Sequence, residues 1–374
     1  MIEREVSIPI VKALGVHKIL ILLGARRVGK TTLVKSVIEK LPDSRYINCE
    51  LLQNKEALES TNSEVLHAFL GKYTYLVLDE AQNIKNIGQI LKIIHDTFPH
   101  IKVIATGSSA FRLQQESGEP LTGRSRVFHL SPLSFREIVH HDDLLSAKGQ
   151  IENILRFGLY PEVYKQSEDF AIEELENIAS NYLYKDILQF ENLKKPDLLY
   201  ALLKALALQV GSEVSLNELS NKLKVHVNTV KRYIELLEQN YVVYRLNALS
   251  KNPRNEIGKS QKIYFYDCGI RNAIIRNFSP ISLRNDVGQL WENFFITERL
   301  KNNANSRNFV NTYFWRNYQR KEIDFIEEVN NMYQAFECKY NPKKKAKAPI
   351  DFVRNYKNFR FHAVNTENFW EHLI

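Results

Sequence analysis

Eight residues near the start carry the strongest chemical signal in the chain: Gly24, Ala25, Arg26, Arg27, Val28, Gly29, Lys30 and Thr31. Two glycines at this spacing, followed directly by lysine and a hydroxyl, form a phosphate-binding loop. The glycines let backbone wrap tightly around an anion. The loop N–H groups point inward, and the start of a helix adds the positive end of its dipole. Lys30 is expected to reach the outer phosphates of ATP, and the Thr31 hydroxyl to hold magnesium, with Thr32 next in the same turn. A second pair, Asp79 and Glu80, closes the apolar run Tyr75-Leu76-Val77-Leu78. A carboxylate carried out at the end of a buried strand beside such a loop can hold magnesium through water. Glu80 then has a separate task, to orient and deprotonate the attacking water. Arg124 is a candidate to stabilise charge on a transferring phosphoryl group, as an arginine finger or an internal sensor, the alternative being a plain surface arginine.

A second set of chemical residues lies in the last third. Glu337 and Lys339 are two apart in the strand-like run Gln334-Ala335-Phe336-Glu337-Cys338-Lys339, so they share a face. Asp324 lies on the run before the turn Asn330-Asn331, and Glu292 on a helical stretch upstream. Carboxylate oxygens gathered in this way suit magnesium or manganese.

The elements that must position these residues are legible. Residues 18–23 are apolar enough for a buried parallel strand, and residues 32–38 have helical spacing. Further strands are expected at 44–49, 73–80 and 101–105. Ser215 and Glu218 read as a capping box. A break at 224–227 and a helix capped by Asn228, with Val230, Ile234 and Leu237 inward, complete a helix-turn-helix. Strands at 241–246 and 262–266, joined by a long wing carrying Arg254 and Lys259, make it a winged helix. As a DNA-binding module it would set Lys231 and Arg232 near phosphates, with Asn228 or Thr229 at base edges. Glu235 and Glu238 on the same helix fit a protein-interaction module instead.

Charge is unevenly placed. The 374-residue chain has a net charge of +8, and residues 339–360 alone hold eight Lys or Arg against one acid, Asp351. Such a stretch attracts nucleic acid. The three cysteines, Cys49, Cys268 and Cys338, are widely spaced and form no C-x-x-C pair. That argues against a disulfide framework or a zinc site. No apolar run approaches a membrane span, and residues 1–5 lack an export pattern. A cytoplasmic protein without membrane contact is expected.

The ordered set of Gly24 to Thr31, Leu78-Asp79-Glu80-Ala81-Gln82, Thr106-Gly107-Ser108-Ser109, Gly123-Arg124 and Leu130-Ser131-Pro132-Leu133-Ser134-Phe135-Arg136-Glu137 resembles prokaryotic AAA-type ATPases with a C-terminal domain of uncharacterised function. Phe157-Gly158-Leu159-Tyr160-Pro161-Glu162 resembles their Gly-Gly-x-Pro-Glu element, with Leu159 in place of the second glycine. Tyr182-Leu183-Tyr184-Lys185-Asp186-Ile187 resembles their next helix. The resemblance implies ATP and Mg2+ as cofactors. It also implies a γ-phosphate sensor after the strand at 101–105, at Ser108 or Ser109, with Thr106 an alternative. Glu292, Asp324, Glu337 and Lys339 resemble the acid cluster and E-x-K of the restriction-nuclease-like fold. The expected architecture is α/β: a P-loop AAA-type ATPase core at 1–140, a helical lid at 141–210, a winged helix at 211–275 and a restriction-endonuclease-like α/β domain at 276–374. The expected function is magnesium-dependent ATP hydrolysis driving conformational change, acting on DNA through the winged helix and the basic stretch, in a homo-oligomer. The alternatives are an ATP-dependent DNA nuclease and a nucleotide-gated protein-interaction switch.

Overall fold

The computed structural model describes residues 2–60, 62–107, 121–182, 196–250 and 261–374. Ser108 and Ser109, residues 183–187 of the helix motif, and Arg254 and Lys259 of the wing lie outside the described residues. The chain divides into two compact units: Met1–Pro132 with Gln239–Tyr241, and Leu133–Glu238 with Val242–Ile374.

The first unit is built on a five-stranded sheet: β1 (Ile19–Leu23), β2 (Ser44–Asn48), β3 (Tyr75–Asp79), β4 (Lys102–Gly107) and β5 (Ser125–His129). Its order is β2-β3-β4-β1-β5, and every pairing is parallel. Parallel neighbours need crossovers, which the helices supply. Sheets covered on both faces carry continuous apolar runs, and β1 is buried at all five positions. One face packs into a core with Ile87, Ile90, Leu91 and Ile94, the apolar stripe of the helix Ile87–Thr97. Because all strands run the same way, the loops after β1, β3 and β4 open on the same edge. Two short helices flank the start of this frame, α1 (Ser7–Ala13) and α2 (Lys30–Ile38).

The second unit holds a seven-stranded mixed sheet formed by β6 (Glu213–Val214), β7 (Val243–Ala248), β8 (Gln261–Phe265), β9 (Asn311–Arg316), β10 (Glu322–Val329), β11 (Met332–Cys338) and β12 (Phe359–Val364). The order is β12-β11-β10-β9-β7-β8-β6. The strands read as a winged-helix hairpin, β7 and β8, pair antiparallel. Strand β7 also pairs parallel with β9, with Asn247 opposite Tyr313. The wing strands therefore continue into the C-terminal sheet.

The helix Val287–Ser306, which reads as amphipathic, is buried on more than one side. Trp291, Phe294, Phe295 and Ile296 supply the apolar surface. Most of its buried polar groups find a partner, as burial demands, although the Asn302 side-chain oxygen is buried without one. Asn293 bridges the N–H and C=O of Phe265, Glu298 pairs with Lys301 at 2.6 Å, and Asn303 donates to Glu327. Two capping expectations change. The recognition-type helix starts at Val227, so Asn228 sits in its first turn, with its N–H donating to His226 Nδ1. Ser215 accepts from the Glu218 N–H without the reciprocal bond. The full capping box is Ser134 with Glu137.

Candidate functional site

The phosphate loop joins β1 to α2. Gly29, the residue before the helix, has φ 95°, and Arg27 has φ 62°. These left-handed conformations curl the loop back on itself. At Gly24 space decides: a Cβ would stand 2.2 Å from the Leu130 carbonyl oxygen. Lys30 is buried, and its ammonium turns into the loop, donating to the carbonyls of Gly24 at 3.1 Å and Ala25 at 2.9 Å.

Strand order explains the rest. Since β4 lies between β1 and β3, the end of β4 is wedged between the loop and the Asp79-Glu80 pair. Thr106 there is fully buried, and its hydroxyl donates to Asp79 Oδ1 at 2.5 Å while accepting from the Glu80 N–H at 2.9 Å. Asp79 Oδ2 accepts from the Thr31 hydroxyl at 2.7 Å and from the Tyr46 hydroxyl at 2.5 Å. Thr31 and Asp79, expected to share magnesium, are thus already in contact. Burial and the bond to Asp79 push the Tyr46 phenol up. Burial, with Asp79 and Glu80 nearby, pushes the Cys49 thiol up to about 12, so it stays protonated and unreactive. Glu80 has φ 55°, a conformation costly for a side-chain-bearing residue. Its carboxylate accepts from Gln82 Nε2 at 2.5 Å and its carbonyl from Asn83 Nδ2 at 3.0 Å.

Two contributors have no sequence signal. Tyr46 sits in an unremarkable strand run. Arg4 lies before α1, yet its guanidinium donates to the Val28 carbonyl at 2.7 Å and the Ser131 carbonyl at 2.6 Å. A trans peptide directs its C=O and the following N–H oppositely. Fixing the Val28 carbonyl on Arg4 therefore turns the Gly29 N–H away from Arg4.

Arg124 is not brought to this edge. Its carbonyl accepts from the N–H of Ile19, at the start of β1, while the phosphate loop follows the other end. The five residues of β1 span about 17 Å. The Arg124 guanidinium pairs with Asp96 at 2.8 Å, which holds that exposed carboxyl down at about 2 through the hydrogen bonds from Arg124 and His95.

In the second unit the C-terminal acids gather around a lysine. Lys262 on β8, 1% exposed, places Nζ 3.1 Å from Glu292, 3.9 Å from Glu322 and 4.0 Å from Asp324. Tyr264 donates to Glu292 at 2.7 Å, and the Cys338 N–H donates to Asp324 at 2.8 Å. Lys339 donates to Glu337 at 2.6 Å, while the other Glu337 oxygen is buried without a hydrogen bond. Burial, then the nearby Glu292 charge, pushes Asp324 up to about 7. Burial, then Asp324, pushes Glu337 up to about 7. For Lys262, burial opposes the charge, but Glu292, Asp324 and Glu322 outweigh it and raise its pKa. Among the described residues no group of three or more His, Cys, Asp or Glu is arranged to hold a metal ion.

The glycine element of this unit has a packing cause. Gly158 has φ 73°, and a Cβ there would fall 2.0 Å from the Asp267 carboxylate. That carboxylate accepts from the Leu159 N–H at 2.7 Å and caps the helix Cys268–Ile275. Asn228, Lys231 and Arg232 are exposed on the helix Val227–Gln239, with Thr229 half-buried. No helix among the described residues is long and apolar enough to cross a membrane.

Three family models match successive parts of the chain. Residues 16–139 match the family described as AAA domain, residues 148–280 a domain of unknown function (DUF8612), and residues 287–368 another (DUF4143). An uncharacterized protein of Mycobacterium bovis and one of Mycobacterium tuberculosis are each 25% identical over 342 residues, covering 90% of this chain and 74% of theirs. An uncharacterized protein of Haemophilus influenzae is 23% identical over 275 residues, 68% of each chain. Among solved structures, a Walker-type ATPase of Pyrococcus abyssi is similar at a TM-score of 0.50 and 16% identity, over 74% of this chain and 96% of that one. With the parallel sheet and loop geometry, these matches make the first unit an α/β core of the AAA-type P-loop ATPase fold.

Proposed function

We propose that the chain is a magnesium-dependent ATPase whose turnover drives conformational change on nucleic acid. The observation that carries the reading is the convergence of Lys30, Thr31, Asp79, Thr106 and Glu80 at one edge of the parallel sheet. The residues fit the group they would hold. A buried ammonium is turned into a loop too close-packed at Gly24 for a side chain, and a hydroxyl already bonds the carboxylate with which it would share the ion. Bound magnesium ATP supplies the bond to be broken and the charge that offsets the phosphates. Lys30 and the loop N–H groups of residues 24–32 hold phosphate oxygens. Thr31 and Asp79 hold magnesium, and Glu80 orients water and takes its proton. Thr106 fixes Asp79 and the Glu80 backbone together. Calorimetry tests the reading: Lys30→Ala is expected to abolish or strongly weaken ATP binding, and equal affinity in the two proteins would defeat it.

For the second unit, the position of Lys262 favours a charge lock over strand cutting. The cation that stands beside Glu292 and Asp324 belongs to the chain itself. Nucleic acid would then be held, through the basic C-terminal stretch and the helix bearing Lys231 and Arg232, without being cleaved.

A further inference from the structure

The hairpin of β9 and β10 ends in an ordered turn. The N–H of Asn317 donates to the Lys321 carbonyl at 3.0 Å, the N–H of Arg320 to the Asn317 carbonyl at 3.0 Å, and the N–H of Lys321 to Asn317 Oδ1 at 2.9 Å. At its tip Tyr318 is 108% exposed, so no part of the described chain covers the ring. A large aromatic on a well-bonded turn, wholly in water, contributes nothing to packing. Arg320 and Lys321 beside it are also exposed.

This tip is docked against the basic stretch. The Asn317 amide donates to Asp351 at 2.6 Å, and the Trp315 ring meets Phe352 edge-on at 5.4 Å. Both partners lie on the helix Ile350–Asn355, and the segment leading into it carries Lys343, Lys344, Lys345 and Lys347, all exposed. Lys347 is four residues before Asp351, within about 14 Å along the chain. The tip therefore packs on the helix that the lysine run leads into, and the face they share runs on from Asp351 toward Lys347. None of these six cations has a carboxylate within ion-pair distance among the described residues.

We propose that this face binds single-stranded nucleic acid, the six cations following the phosphates and Tyr318 stacking on a base. Unpaired bases offer the open ring faces that an exposed aromatic requires, whereas duplex bases are already stacked. The proposal rests on the reading that the chain acts on nucleic acid, and it names where and in what form.

The test is anisotropy of fluorescein-labelled oligo(dT) with the full chain, titrated at several salt concentrations. Unlabelled duplex DNA and oligo(rU) serve as competitors that separate duplex, DNA and RNA. Wild type is expected to bind with a log–log salt slope of up to about −4, roughly 0.7 for each cation engaged. Combining Lys343→Ala, Lys344→Ala and Lys345→Ala should flatten that slope by about 2. Tyr318→Ala should weaken binding about five- to a hundredfold, the worth of one base stack, with the slope unchanged. Oligo(rU) should compete and duplex should compete poorly. Wild-type affinity in Tyr318→Ala, or duplex competing as well as single strands, would overturn the proposal. So would a slope that flattens only on Lys231→Ala with Arg232→Ala. No binding by wild type at low salt would remove both this proposal and the nucleic-acid reading, leaving ATP binding to its own assay.

Discussion

Replacing Arg4 with methionine should loosen the phosphate loop without touching any residue that would meet nucleotide. The guanidinium makes two short bonds, 2.7 Å to Val28 and 2.6 Å to Ser131, and a long one of 3.4 Å to Pro132. A bond from a charged donor is worth about 1.5–3 kcal/mol. Only the Val28 bond bears on the loop, and Val28 is wholly buried, so its carbonyl would lose a partner that water cannot readily replace. If ADP must restore the Gly29 peptide on binding, that loss converts to about a ten- to hundredfold weaker Kd. Calorimetry with ADP reads this directly. The matched control is Ile10→Ala. Ile10 is 1% exposed in α1, and its truncation should destabilise by about 2–5 kcal/mol without altering the Val28 carbonyl. Wild-type ADP affinity in Arg4→Met, or an equal loss of affinity in Ile10→Ala, would refute the reasoning and reduce Arg4 to a tether for the first helix.

The acid cluster sets a pH dependence. Asp324 and Glu337 are both pushed up to about 7 in the folded unit, so it keeps protons that the unfolded chain releases from about pH 4. Their contribution is therefore full at low pH and lost as pH rises through 7, by about 1.4 kcal/mol per pH unit for each proton held. Denaturation midpoints between pH 4 and 8 should fall accordingly, Asp324→Asn should flatten the fall, and magnesium should leave the wild-type midpoint unchanged. A flat profile in wild type would contradict the raised carboxyls, and metal stabilisation would contradict the charge lock. Arg124→Ala should lower turnover more than nucleotide affinity. Because Arg124 lies at the far end of β1 from its own loop, turnover per wild-type chain should rise with protein concentration. A variant matching wild type at every concentration would exclude Arg124 from the chemistry.

The phosphate loop and the strand ending in Asp79 were legible because each is a local pattern: glycine spacing in one, an apolar run with an acid at its end in the other. Tyr46, Thr106 and Arg4 were harder to place because their roles arise from strand order and from contacts across long sequence separations. Thr106 bonds Asp79 only because β4 is inserted between β1 and β3. Strand alternation put Glu337 and Lys339 on one face, and their side chains bond just past the end of β11. It could not indicate that Lys262, read as the first residue of a wing strand, would stand among the acids. That depends on β7 pairing with β9, a contact across more than sixty residues. The glycine of the 157–162 element was visible as a letter, but its cause, the Asp267 carboxylate pressed against it, was not.

Phosphate release from ATP by the purified wild-type chain and by Glu80→Gln, measured side by side with magnesium, tests the central claim most directly. Wild type should turn over, and Glu80→Gln should bind ATP with near wild-type affinity yet release phosphate at least about a hundredfold more slowly, the usual contribution of a general base. A variant that hydrolyses ATP at the wild-type rate would contradict the account, as would a wild-type chain that releases no phosphate at all.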